Sequence, residues 1–205
     1  MKKRFEKGYT LAEVLVVVLL ISILVGLTIA AFSRFYQQYR LSTVTRQVAT
    51  SISYARLRAV ATNMKYTFTL QTSPSPTVFN ATGTNDLDNS GTLQPWEDVM
   101  GTGAIFTDTL YPTARTFDTP TVVVDHTGIG STLPNGAAMA QALDSGQTLT
   151  VVFDGRGIPF IPQVGGVDKS YIVLQSQGFT QAIFVDVTGL IRIYRYIGPS
   201  WTEMR

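Results

Sequence analysis

Residues 14–32 form an uncharged run of 19, in which Val, Leu, Ile and Phe fill 14 positions. Wound as a helix at 1.5 Å per residue, the run covers roughly 28 Å, close to the hydrocarbon thickness of a bilayer. It predicts a membrane-spanning helix. Lys2, Lys3, Arg4 and Lys7 precede it, and basic residues stay on the cytoplasmic side, so the long C-terminal part is expected across the membrane. A cleaved secretory signal would need a small-x-small exit after the apolar run. Instead Phe32, Arg34, Phe35, Tyr36 and Tyr39 continue without Pro or Gly, as a helix does.

The 173 residues after the run are ample for one domain. Only 15% of the chain is charged, and the first eight residues hold a net +3 of the formal +2, leaving −1 for residues 9–205. That balance argues against a polycation coating nucleic acid. The chain has no cysteine and one histidine, which excludes disulfides, thiolate metal sites, a cysteine nucleophile and a multi-histidine metal centre. Imidazole chemistry falls on His126 alone.

Glu13 sits at the cytoplasmic edge of the apolar run, where a carboxylate costs a few kcal/mol in hydrocarbon and asks for a partner. The span tolerates that cost, and snorkelling to the interface is the plain alternative. With its short basic leader, the stretch Gly8-Tyr9-Thr10-Leu11-Ala12-Glu13-Val14 resembles the processing site of type IV prepilins and type II secretion pseudopilins. The resemblance implies cleavage after Gly8 by a prepilin peptidase and methylation of the new N-terminal residue, Tyr9, in place of the usual Phe. It also implies that Glu13 pairs with the terminal amine of a neighbouring subunit as the filament assembles. The stretch 53–64, SYARLRAVATNM, is similar to the end of the first helix in GspH/FimT-like minor pseudopilins and minor pilins. The implied partners are other pilins or pseudopilins, the inner-membrane assembly platform, the prepilin peptidase and, before assembly, membrane lipid. The implied location is the inner membrane in a single pass, with the leader cytoplasmic and the head periplasmic, and then the filament.

Past the apolar run, Leu41, Val44, Val48, Ile52, Ala55 and Ala59 recur at three- and four-residue spacing, with Arg40, Thr43, Arg46, Gln47, Arg56 and Arg58 off that stripe. This predicts one helix from Tyr9 to about Thr62, stopped at Asn63. From Lys65 the period becomes two, and strands are expected at 66–70, 121–124, 148–153, 171–174, 182–187 and 190–196, the last two joined through Thr188-Gly189. The fold class is α+β and pilin-like, a long N-terminal helix packed on a mostly antiparallel sheet. Its expected divisions are a leader at 1–8, a membrane and filament half of the helix at 9–35, an amphipathic half at 36–64, and a β-rich head at 65–205. Stretches 71–120 and 127–147, rich in Gly, Pro, Ser, Thr and Asn, are expected to be variable loops.

One of these stretches carries a chemical pattern. Asp86, Asp88, Ser90, Thr92 and Glu97 stand at the ligand spacing of a Ca²⁺ loop, D-x-D-x-S-G-x₅-E, with Gly91 at the sharp turn. A solvated acidic turn is the competing interpretation, because these are also ordinary turn residues. Asp125-His126 reads as a hydrogen-bonded surface pair, and Gly155-Arg156-Gly157 as a turn with no third glycine for a nucleotide. FimT-like pilins of DNA uptake resemble the C-terminal strand through a G-R-x-R pattern. Here it stands as Gly189-Leu190-Ile191-Arg192, so only Arg192 carries over. Arg195, three residues on, falls on the opposite face of a strand. DNA capture through Arg192 and Arg195 is therefore the alternative to a role in filament assembly, and no enzyme is expected.

Overall fold

The computed structural model describes residues 9–72, 77–85, 107–116, 122–126, 129, 132–144, 146–161, 163, 164 and 166–204, with the side chains of 27, 29–31 and 164 outside the description. The chain divides after Gln38 into two compact units. One helix, α1 (Leu11–Thr62), contributes to both. In the first unit it is apolar on all faces, and Val14, Leu19, Leu24 and Val25 are each about half exposed. Among the described residues no helix is long and apolar enough to cross a membrane.

The second unit is built around the stripe that the spacing predicts. Leu41, Val44, Val48, Ile52, Ala55 and Ala59 are all buried. The helix stops where Asn63 takes a left-handed conformation at φ 52° and the Met64 N–H reaches back to the Ala59 carbonyl at 3.2 Å. This six-to-one bond is the Schellman cap, with Asn in the place that glycine fills most often.

Two antiparallel sheets cover the stripe. The first contains β1 (Lys65–Gln71), β2 (Val78–Thr84), β3 (Thr107–Thr109), β4 (Arg115–Thr116), β6 (Thr148–Phe153) and β7 (Pro159–Phe160), in the order β3-β2-β1-β6-β7 with β4 also on β2. The second runs β13-β12-β11-β10-β5, from β5 (Val123–Val124), β10 (Tyr171–Ser176), β11 (Phe179–Val185), β12 (Ile191–Ile197) and β13 (Ser200–Met204). A small hairpin pairs β8 (Gln163–Val164) with β9 (Val167–Asp168). Period-two alternation puts Tyr66, Phe68, Leu70, Leu149, Val151 and Phe153 from the first sheet into one core with Ile172, Leu174, Ile183 and Val185 from the second. The helix stripe belongs to the same core, so the α+β architecture holds.

The sequence expectation fails in three places. Stretch 71–120 contains β2, β3 and β4, and β2 is a central strand of its sheet. Its sequence VFNATGT hides the alternation, because its inward positions after Phe79 are Ala81 and Gly83. Those residues are small for a reason: a Cβ on Gly83 would stand 2.3 Å from the Tyr66 ring, whose hydroxyl donates to Asp108. Stretch 127–147 is also more than a loop. Its described part carries two short 3₁₀ turns, Pro134–Gly136 and Met139–Gln141, and a second core in which Leu133 and Ala142 cover Tyr171, Val173, Ala182 and Tyr194. Polar tips fix this cover, with Tyr171 donating to the Pro134 carbonyl, Trp201 to the Thr132 carbonyl and Lys169 to the Ala142 carbonyl. Finally, the strands joined through Thr188-Gly189 are not the last two. The turn spans Asp186 to Leu190, and β13 follows as a further strand.

The helix and both sheets meet at Arg56. Its guanidinium donates to the carbonyls of Gly157 (3.0 Å), Gly189 (2.9 Å) and Thr188 (3.1 Å). These lie in the β6-β7 turn of one sheet and the β11-β12 turn of the other. Gly157 and Gly189 have φ of 76° and 78°, and a Cβ on Gly189 would stand 2.7 Å from the Arg56 Nε and from the Gly157 carbonyl oxygen. Hydrogen bonds to a charged donor contribute about 1.5–3 kcal/mol each, less where water competes. Arg56→Ala should therefore destabilise the full chain in detergent by about 2–4 kcal/mol in urea unfolding. Gly189→Ala should cost about 1 kcal/mol less in the Arg56→Ala background than in the wild type, because one of its two clashes is gone. Strict additivity of the two changes would show that the arginine and the turn do not bear on each other.

Candidate functional site

The first candidate is the start of the helix. Thr10 caps it: its hydroxyl accepts from the Glu13 N–H at 3.3 Å, and its carbonyl accepts from the N–H groups of Glu13 (3.1 Å) and Val14 (3.2 Å). Such a cap is worth about 1 kcal/mol. Thr10-x-x-Glu13 has the spacing of a capping box, a signal that would have located the helix start two residues after Tyr9. Glu13 lies in the first turn, where the helix dipole favours a negative charge. Its carboxylate has no hydrogen bond or ion pair among the described residues, while Tyr9 is 83% exposed. Gly8 lies outside the described residues. The chemistry available at Tyr9 and Glu13 is that of a free carboxylate on a capped helix end, one turn from the position that becomes the chain terminus if the leader is removed.

The second candidate, the arginine pair of β12, does not converge. Arg192 pairs across the sheet with Phe184 and shares a face with Tyr194 of the second core. Arg195 lies on the other face with Ile191 and Ile193, and its Nε is buried without a hydrogen-bond partner. A hydrogen bond to Tyr194, then the charge of Glu203 at 3.8 Å, raises the Arg192 guanidinium above the ordinary arginine value. Lys169, another cation of the head, is buried and donates to Ala142 O and to Asp144 Oδ2, each at 2.9 Å. A phosphate backbone would have to compete with these internal partners.

His126 is also drawn into that polar cluster. Its Nε2 lies 3.6 Å from Asp144 Oδ1, and its Nδ1 is buried without a partner. Gly155-Arg156-Gly157 is a turn, closed by Gly157 N–H to the Asp154 carbonyl and by Asp154 Oδ1 accepting from the N–H groups of Arg156 and Ile158. The calcium pattern at Asp86, Asp88, Ser90, Thr92 and Glu97 lies outside the described residues. Among the described residues no cluster of three or more carboxylate, histidine or cysteine ligands is present. The residue that the linear sequence gave no means of finding is Arg56, because its acceptors are more than a hundred positions away.

Comparison with known proteins bears on the helix start. Residues 3–29 match the family described as the prokaryotic N-terminal methylation motif, which is consistent with a type IV pilin or pseudopilin. The match covers 27 of 205 residues and is a statement about the N-terminal segment. No curated protein and no solved structure matches the chain.

From the divergence of the two arginines, duplex DNA should bind the full chain weakly at low salt and be released near physiological ionic strength, with Arg192→Gln leaving affinity nearly unchanged. A gel-shift titration at two salt concentrations measures this. Micromolar binding that persists in salt and falls with Arg192→Gln would establish DNA capture instead.

Proposed function

We propose that this chain is a minor pilin or pseudopilin subunit of the GspH/FimT type, which assembles into a type II secretion pseudopilus or a type IV pilus. The observation that carries the proposal is the methylation motif at residues 3–29, set on a helix that leaves Tyr9 exposed and Glu13 without a hydrogen-bond or ion-pair partner among the described residues. In this function the peptidase cuts after Gly8 and the new terminal amine on Tyr9 is methylated. Residues 14–32 hold the subunit in the inner membrane, with the head on the periplasmic side. Both Glu13 and the neighbouring subunit's terminal amine are costly to desolvate alone, and pairing them offsets that cost as the subunit passes from lipid to filament. The chain performs no chemistry of its own here. Its work is polymerisation, with other pilins and the inner-membrane assembly platform as partners.

Intact-mass analysis of the membrane-extracted protein should show loss of residues 1–8 and one added methyl group. Glu13→Val should insert in the membrane normally yet be missing from sheared filaments. Trimming of Gly8→Ala at the same bond would remove the peptidase from the scheme, and equal filament incorporation of Glu13→Val would leave the glutamate as an interfacial residue.

For the stretch 86–97 we propose Ca²⁺ binding, on the spacing of its oxygen ligands. A ligand that binds only the folded state stabilises by roughly 2.7 kcal/mol at a hundredfold excess over Kd. The melting temperature of the full chain in detergent should therefore rise by several degrees with millimolar Ca²⁺ and much less with Mg²⁺. Glu97→Gln should abolish the gain, and an unchanged melting curve would reduce the stretch to an acidic turn.

A further inference from the structure

A groove of about 570 Å³ lies between the second half of α1 and residues 111–116, with Tyr39, Ser42, Arg46 and Thr50 on one side and Tyr111 and Arg115 on the other. All of these residues belong to the second compact unit. The volume is in the range of clefts that take a small ligand, and such clefts are mostly apolar. This one is not. Every described residue that lines it is hydroxylic, amide, aromatic or cationic, and none is aliphatic or acidic.

The two cations of the groove are uncommitted, and one of them is held in place. Arg56, Arg58, Lys169 and Arg192 are engaged with carbonyls, tyrosines or carboxylates within the chain. Arg46 and Arg115 have no carboxylate partner among the described residues, and both are exposed. The Arg115 guanidinium lies 4.2 Å from the centre of the Tyr111 ring. That ring is itself fixed, with the hydroxyl bonded to Ser51 Oγ at 2.7 Å, an edge against Phe79, and the backbone N–H and carbonyl bonded to the Asn80 side chain. A guanidinium stacked on an aromatic face keeps its N–H edge for a planar carboxylate, which it meets through two parallel bonds. Arg46 adds a second positive charge from the helix.

The neutral groups decide which anion fits. The side chains of Ser42, Gln47 and Thr50 have no hydrogen-bond partner among the described residues, and each of them both donates and accepts. A phosphate oxygen only accepts, and a nucleic-acid backbone held by two cations is released as salt rises. An acidic peptide brings apolar side chains beside its carboxylates, and no aliphatic residue of the described lining receives them. A uronic-acid sugar carries a carboxylate on a stiff ring, hydroxyls that donate and accept, and a C–H face that packs on an aromatic ring. Tyr39, 61% exposed and without a ring partner among the described residues, offers that aromatic face. We propose that this groove binds an acidic oligosaccharide, with a uronate carboxylate on Arg115 and Arg46, sugar hydroxyls on Ser42, Gln47 and Thr50, and a sugar face on Tyr39. The site lies wholly within the head, so its failure leaves the filament role untouched.

Hydrogen exchange of the full chain in detergent, with and without millimolar tri-galacturonate, tests this. Peptides covering 39–50 and 111–116 should exchange several-fold more slowly with the sugar, while β10 and β11 exchange unchanged as proof of folding. The fully methyl-esterified sugar, of the same shape but uncharged, should bind about tenfold more weakly or worse, as expected for loss of a charge-assisted pair. Arg46→Gln and Arg115→Gln should each weaken the protection by a similar factor, and the double variant should remove it. Tyr39→Ala should weaken it several-fold, and Arg156→Gln, at an exposed arginine elsewhere on the head, should keep it. The proposal is overturned if tri-galacturonate gives no protection, if the ester protects as well as the acid, or if protection survives the double variant. It is equally overturned if inorganic phosphate, a glutamate tripeptide or duplex DNA at matched anion concentration protects the same peptides as well, which would assign the groove to a free anion, an acidic protein segment or nucleic acid.

Discussion

The head depends on one helical stripe being covered by two sheets at once. Both sheets supply that cover: Phe68 and Val151 come from one, Ile172 and Ile183 from the other, and Ile52, Ala55 and Ala59 lie in the same core. Small residues at 55 and 59 let both sheets approach the helix, and at that level the two sheets would otherwise be joined only by packing. Arg56 supplies the directional link. Packing is tolerant of small slides, whereas three N–H groups on a rigid planar fork fix the two turns relative to the helix and to each other. The positive-φ glycines at 157 and 189 follow from this, since their carbonyls face the guanidinium and a Cβ would run into Val60 at 157 and into Arg56 at 189.

The helix, β1 and β6 were legible in the sequence because their burial is periodic. Every residue of the predicted stripe is buried, and β1, β6 and β10 begin within one residue of the positions that alternation gives them. β2 was not legible, because its inward face is Ala81 and Gly83, made small by the ring of Tyr66 on the neighbouring strand. The cover over the second core was not legible either. Leu133 and Ala142 have no common period, and they are held by side chains from far along the chain, Tyr171 and Lys169 among them. At the candidate site, Gly8, Tyr9 and Glu13 were visible as a local motif, and local motifs are what a sequence displays best. Arg56 acquires its role only from what the fold brings opposite it.

Net charge is a poor guide to the partners of such a chain, and the placement of its cations is a better one. A charge near −1 over residues 9–205 argues against a polyanion as a ligand, yet it averages over arginines in very different states. A guanidinium with three N–H groups on backbone carbonyls, as at Arg56, is committed to the fold and turns to a partner only at the cost of those bonds. One paired to a carboxylate, as at Arg192, can be recruited only if the partner outbids Glu203. One stacked on a fixed tyrosine and facing an open groove, as at Arg115, gives up neither a bond nor rotamer freedom when an oxyanion arrives. Of these three states only the stacked arginine, Arg115, can meet an oxyanion without first giving up an internal hydrogen bond or ion pair.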